Sequence, residues 1–121
     1  MDNETEVLAT YEQYIKYFLA NDVDGINSLV DYPITYIADG HCVSLDTYPV
    51  IPDDMRKEKS WDTSIDVSTT VHGLNKTKAH VITTATRIRK DKSVIEKVSA
   101  FYAFHKKGND WKMYAISDVV F

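Results

Sequence analysis

The sequence predicts an α+β domain, a curved antiparallel sheet with helices packed on one of its faces. Three observations predict it. Near the N-terminus, Val7, Leu8, Tyr11, Tyr14, Ile15, Phe18 and Leu19 recur at spacings of three and four, the stripe of an amphipathic helix. From Trp61 onward the chain instead alternates apolar and polar residues in four long runs separated by short polar turns. Helices bunched at one end and strands at the other indicate α+β rather than an alternating parallel architecture.

Each element follows from local chemistry. Asn3 followed by Glu6 predicts a capping box at the start of the first helix. Asn21 tolerates the left-handed conformation that ends it. Asp22 then caps a second, short helix with Ile26, Leu29 and Val30 inward. Tyr32-Pro33 breaks that helix, because proline lacks an N–H and disfavours a helical residue before it. ITYIA at 34–38 is β-branched and aromatic, hence a strand. Asp39-Gly40 is a strong hairpin signal, and HCVSL at 41–45 is the return strand. Pro52, Asp53 and Asp54, followed by Arg56, Lys57 and Lys59, order their charges as the dipole of a short helix prefers. The remaining strands are the run containing Ile65, Val67, Thr69 and Val71, then 78–89, 94–106 and 111–121. In the third of these, Val98, Ala100, Tyr102 and Phe104 share one face, and Ser99, Phe101, Ala103 and His105 the other. Apolar residues on both faces require cover on both: helices on one side, and a second copy of the chain on the other.

Composition narrows the function. With 121 residues the chain is expected to form one domain, 1–121. A domain of this length buries roughly 65–70% of its unfolded surface and needs no staples. The net charge of −4, with signs mixed, leaves no basic face for nucleic acid. The basic stretch Arg87-Ile88-Arg89-Lys90 alternates faces on a strand. Cys42 is the one cysteine, so neither an internal disulfide nor a cysteine zinc site is expected. No apolar run approaches the ~20 residues that span a bilayer, and the acidic start does not read as a leader. A cytoplasmic protein is expected, one in which the Asn75-Lys76-Thr77 glycosylation pattern carries no weight.

The element order resembles the nuclear transport factor 2-like superfamily, the cystatin-like cone fold of ketosteroid isomerase, scytalone dehydratase and the SnoaL-like polyketide cyclases. The likeness runs along nearly the whole chain. It lies in the amphipathic first helix and the small second helix leading into YPITYIADG. It continues in AHVITTATRIRKD and VSAFYAFHKKGNDWKMYAIS. It implies a cone-shaped half-barrel with the helices on the concave face, a hydrophobic cavity between helices and sheet, and a homodimer through the sheet's other face.

Candidate functional residues are of three kinds. The aromatics Tyr14, Tyr36, Trp61, Tyr102 and Tyr114 are placed to border one cavity, with plain core packing as the alternative. Among ionisable groups, Asp39 is first a turn residue. The resemblance to isomerase-like members implies a second role as general base just after the first strand, with Tyr14 as hydroxyl donor and His41 beside it. His41 and His72 would mimic a dehydratase-like pair, while His80 and His105 suit a surface or interface. Four scattered histidines make no metal site, and no cofactor is expected. Arg87 shares a face with Val81, Thr83 and Ala85. On the inner face it needs a carboxylate partner, for which Asp118 is the candidate, or an anionic ligand. Three functions therefore stand open. They are a cofactor-independent acid–base enzyme (isomerase, dehydratase or cyclase) acting on a small apolar molecule, a non-catalytic binding domain for such a ligand, and a protein-interaction module.

Overall fold

The computed structural model describes residues 2–121 and contains three helices and one six-stranded sheet. In chain order these are α1 (Asn3–Leu19), α2 (Val23–Ser28), β1 (Val30–Ala38), β2 (His41–Leu45), α3 (Pro52–Lys59), β3 (Thr63–His72), β4 (Lys78–Ile88), β5 (Val94–Lys107) and β6 (Asp110–Val120). The sheet order is β2-β1-β6-β5-β4-β3.

The sheet is mixed rather than wholly antiparallel. Four neighbouring pairs are antiparallel, but β1 lies parallel to β6, with Tyr36 opposite Ile116. The reason is the route of the chain. The β1–β2 hairpin occupies one edge, the segment with α3 crosses to β3 at the other, and the meander β3 to β6 returns until β6 meets β1. Parallel neighbours require such a long crossover.

Helix boundaries moved by one or two residues. The N-cap of α1 is Asp2, whose carboxylate accepts from the Thr5 amide at 2.8 Å, so Asn3 is already helical and the Asn3–Glu6 capping box does not form. At the other end Asn21 has φ 52°. The amides of Asn21 and Asp22 donate to the carbonyls of Phe18 and Tyr17, the paired bonds of a Schellman ending. Asp22 caps α2 through the Gly25 amide at 2.9 Å. Gly25 is needed for another reason: a Cβ there would sit 2.5 Å from the Tyr17 ring, so glycine lets α2 fold back onto α1. Val30 begins the first strand instead of extending α2, and Pro33 lies inside that strand.

The helices cover the concave face. The core joins Val7, Tyr11 and Tyr14 of α1 to Ile34, Val81, Tyr102, Phe104 and Met113 of the sheet. In β3 the register slips between Ile65 and Ser68, where Asp66 has φ 52°; such a bulge bends a strand and deepens the hollow. Trp111 on β6 is buried, and its Nε1 donates to Glu6 of α1 at 3.3 Å. That bond, joined by Lys106 at 3.4 Å, holds the Glu6 carboxyl below its ordinary pKa. Asn75, in the β3–β4 turn, spends its carboxamide oxygen on the amides of Thr77 and Lys78 at 2.9 and 2.8 Å.

Candidate functional site

The hollow is not packed solid. A cavity of about 200 Å³ lies between α1, α3 and the concave side of β3 to β6. Helix α1 contributes Tyr11, Tyr14, Ile15, Phe18 and Leu19, a set fixed by the period of the helix. The segment around α3 adds Val50, Met55 and Trp61. Alternate residues of the sheet complete the wall: Val67 on β3, Thr83, Ala85 and Arg87 on β4, Val98, Ala100 and Tyr102 on β5, and Ile116 and Asp118 on β6. The strand period of two aims each series at the same face.

Aromatic rings form a continuous spine through this site. Ring centroids lie 5.8 Å apart from Tyr48 to Tyr14 and from Tyr14 to Phe18, then 5.7 Å from Phe18 to Trp61. Tyr102 packs against both Tyr11 and Tyr14, at 5.2 and 5.5 Å. Arg56 caps the Trp61 end of the spine, 4.9 Å over the ring, while its Nη2 donates to the Leu19 carbonyl at 2.7 Å. That bond, and the one from the Asp53 amide to Asn21 Oδ1 at 3.0 Å, tie α3 to the end of α1.

The Tyr14, Tyr48, Tyr11, Thr83 and Thr69 hydroxyls are matched with one another. The Tyr14 and Tyr48 hydroxyls share a proton contact at 2.5 Å, and Thr83 donates to the Tyr11 hydroxyl at 2.7 Å while sharing a 3.1 Å bond with Thr69. Burial holds Tyr14, Tyr48 and Tyr102 far above the ordinary phenol pKa and raises Tyr11 as well, so all four are neutral phenols at physiological pH. No fully buried side-chain nitrogen or oxygen among the described residues lacks a partner. These hydroxyls can donate weak, well-placed hydrogen bonds but offer no anion.

Charge enters at two separate places. On β6, Asp118 accepts from the Tyr36 hydroxyl at 3.0 Å, and burial, then the carboxylate, raises the Tyr36 pKa. On β4, Arg87 pairs with Glu96 at 3.4 Å, not with Asp118 as the sequence reading allowed. The register explains this: Arg87 lies directly opposite Glu96 on β5, whereas Asp118 is opposite Ala100, two strands away and further along. Glu96 is bound more closely by Lys59, at 2.6 and 3.1 Å.

The candidates from sequence thus divide. Tyr14, Trp61, Arg87, Tyr102 and Asp118 line the one cavity, and Tyr36 touches it through Asp118. Tyr114 does not line it; its ring meets His105 on the convex face at 4.7 Å. Asp39 and His41 are exposed at the tip of the β1–β2 hairpin, away from the cavity wall. His41 and His72 lie on strands β2 and β3, the opposite edges of the sheet, so they form no pair. Sequence reasoning missed Tyr11, Phe18, Tyr48 and Met55. Tyr11 and Phe18 share the stripe of Tyr14, a signal that was available; Tyr48 sits in a non-repetitive loop and left none.

The model of the NTF2-like protein family DUF6841 matches residues 3–119. The chain belongs to that family. Its NTF2-like fold is shared by solved structures of low identity. A Cytophaga hutchinsonii NTF2-like protein superposes with TM-score 0.74 at 13% identity, covering 100% of both chains. A Burkholderia xenovorans cystatin-like fold protein gives 0.64 at 14%, over 96% of this chain and 89% of its own. The CamKII hub homology domain of Chlamydamonas reinhardtii gives 0.65 at 16%, over 99% of each. No curated protein matches the sequence. No helix among the described residues is long and apolar enough to cross a membrane.

Proposed function

We propose that this NTF2-like domain binds a small, largely apolar organic molecule inside its cone. The observation that carries the reading is the cavity itself: about 200 Å³, walled by aromatic and aliphatic side chains, with a few separated polar groups. A dry apolar cavity of about 150 Å³ accepts benzene, so a substituted six-membered ring is the right scale here. Apolar walls with sparse, convergent polar groups are the usual make-up of a small-molecule site. The matched Tyr–Thr network supports binding over chemistry there, because neutral phenols with raised pKa orient a guest without taking its proton.

One observation favours an acid–base reading as the alternative. Asp118 is a carboxylate on the cavity wall with a phenol at 3.0 Å, the pairing a proton-abstracting site would use. In that reading Asp118 takes the base role that the resemblance to isomerase-like members implied for Asp39, and Asp39→Asn leaves any turnover unchanged while Asp118→Asn removes it. A homodimer through the convex face, where Phe101 and Tyr114 are half-buried, completes the proposal. The test is a crystal soaked with benzyl alcohol. Density for the ring between Trp61 and Tyr102 supports the reading; a ring bound solely outside the cone contradicts it.

A further inference from the structure

Arg87 is more than the cavity's chance cation. Its side chain is 14% exposed, and it lines a wall that is otherwise largely apolar. A guanidinium has five N–H donors, and one long bond of 3.4 Å to Glu96 is the protein contact it makes. Nε and Nη2 have no protein partner among the described residues. They are not sealed in either, since no fully buried nitrogen there is unpartnered. Glu96 does not neutralise Arg87 alone, because Lys59 holds the same carboxylate at 2.6 and 3.1 Å. Two cations therefore share one anion, and Arg87, the one of the two that lines the hollow, is left with most of its donors unpaired. A mostly buried, under-bonded guanidinium of this kind suits an anion that supplies the hydrogen bonds the protein leaves unmade.

From this geometry we infer that the guest is an organic carboxylate whose planar head pairs with Arg87 and whose apolar body rests against Trp61 and Val98. The inference rests on the cavity reading above and sharpens it to a substrate class. The fork of a guanidinium matches a carboxylate in shape and charge. Asp118 fixes the orientation. It shares the cavity wall but lies on β6, with β5 between it and Arg87 on β4, so a carboxylate head is repelled from the Asp118–Tyr36 end and drawn to the Arg87 end. A hydroxyl or amine at the far end of the guest would then meet Asp118 as acceptor.

Calorimetric titration with benzoate and with the neutral isostere benzyl alcohol tests this. The native chain should bind benzoate about tenfold more tightly, the size of one charge-assisted hydrogen bond. Arg87→Met should erase that preference, with the loss falling on benzoate. Arg87→Lys, the safer variant for folding, should keep part of the preference through charge alone. Asp118→Asn should tighten benzoate by removing the repelling charge. Equal affinity of the native chain for both probes, or a preference that survives Arg87→Met, overturns the carboxylate inference and leaves the cavity reading intact. Binding of neither probe overturns both.

Discussion

The two faces of one sheet are built from the same strands and do opposite things. On the concave face, Thr83, Ala100, Tyr102 and Ile116 join the α1 aromatics around a hollow in which the Tyr11 and Tyr14 hydroxyls are paired with Thr83 and Tyr48. On the convex face, Phe101, Ala103, His105 and Tyr114 alternate with them, unroofed by any helix, and Asp31 binds His105 at 2.8 Å and Lys107 at 3.1 Å. The concave face is specified by packing and the convex face by surface chemistry. A substitution one residue along a strand therefore moves between two different physics.

The sharpest way to break the contrast is a matched pair of truncations. Tyr14→Ala should cost about 3–5 kcal/mol, because a fully buried ring is lost from the spine and Tyr48 is left without its 2.5 Å partner. Tyr114→Ala on the convex face should cost about 1 kcal/mol, and urea unfolding compares the two. Equal losses would mean that the faces are not distinct. Next comes Glu96→Gln. It removes the one anion shared by Lys59 and Arg87 and should destabilise by about 2 kcal/mol in the same assay. Phe101→Asp probes the proposed dimer. Light scattering should fall from twice 13.8 kDa to 13.8 kDa while benzyl alcohol binding persists.

The smallest effect is electrostatic. Lys107, then His105, lowers the Asp31 pKa below its ordinary 3.8. The stabilisation this gives is present at neutral pH and is lost as pH falls through the lowered value. Lys107→Ala should bring the Asp31 titration, followed by carboxyl NMR, back up toward 3.8. An unmoved midpoint would remove Lys107 from the account.

Much of this architecture was legible because it is periodic. The α1 stripe, the alternation in β5 and the Asp39-Gly40 turn each follow from short-range spacing, and the structure places all three where the spacing does. The parallel β1–β6 contact was not legible, because it depends on a crossover whose path no local signal encodes. The period of its strand grouped Arg87 with Val81, Thr83 and Ala85 but did not say which face of the sheet was inner, and its partner was not legible either, since Glu96 is set by cross-strand register. Tyr48 escaped for the same reason. It reaches Tyr14 across 34 residues from a loop without period. Asp39 drew attention as a base because of its place along the chain, yet a residue at a tight turn is held at the tip of a hairpin, where water rather than a cavity surrounds it.

Two tryptophans offer the most direct test of the guest-binding hollow. Trp61 lines the cavity with its Nε1–H on Ser64 at 3.2 Å, while Trp111 lies outside the cavity lining and donates to Glu6. In a proton–nitrogen correlation spectrum each indole gives its own signal. On titration with benzyl alcohol the account predicts a saturating shift of the Trp61 indole and a still Trp111 signal. Movement of Trp111 alone, or of neither indole at saturation, would contradict it.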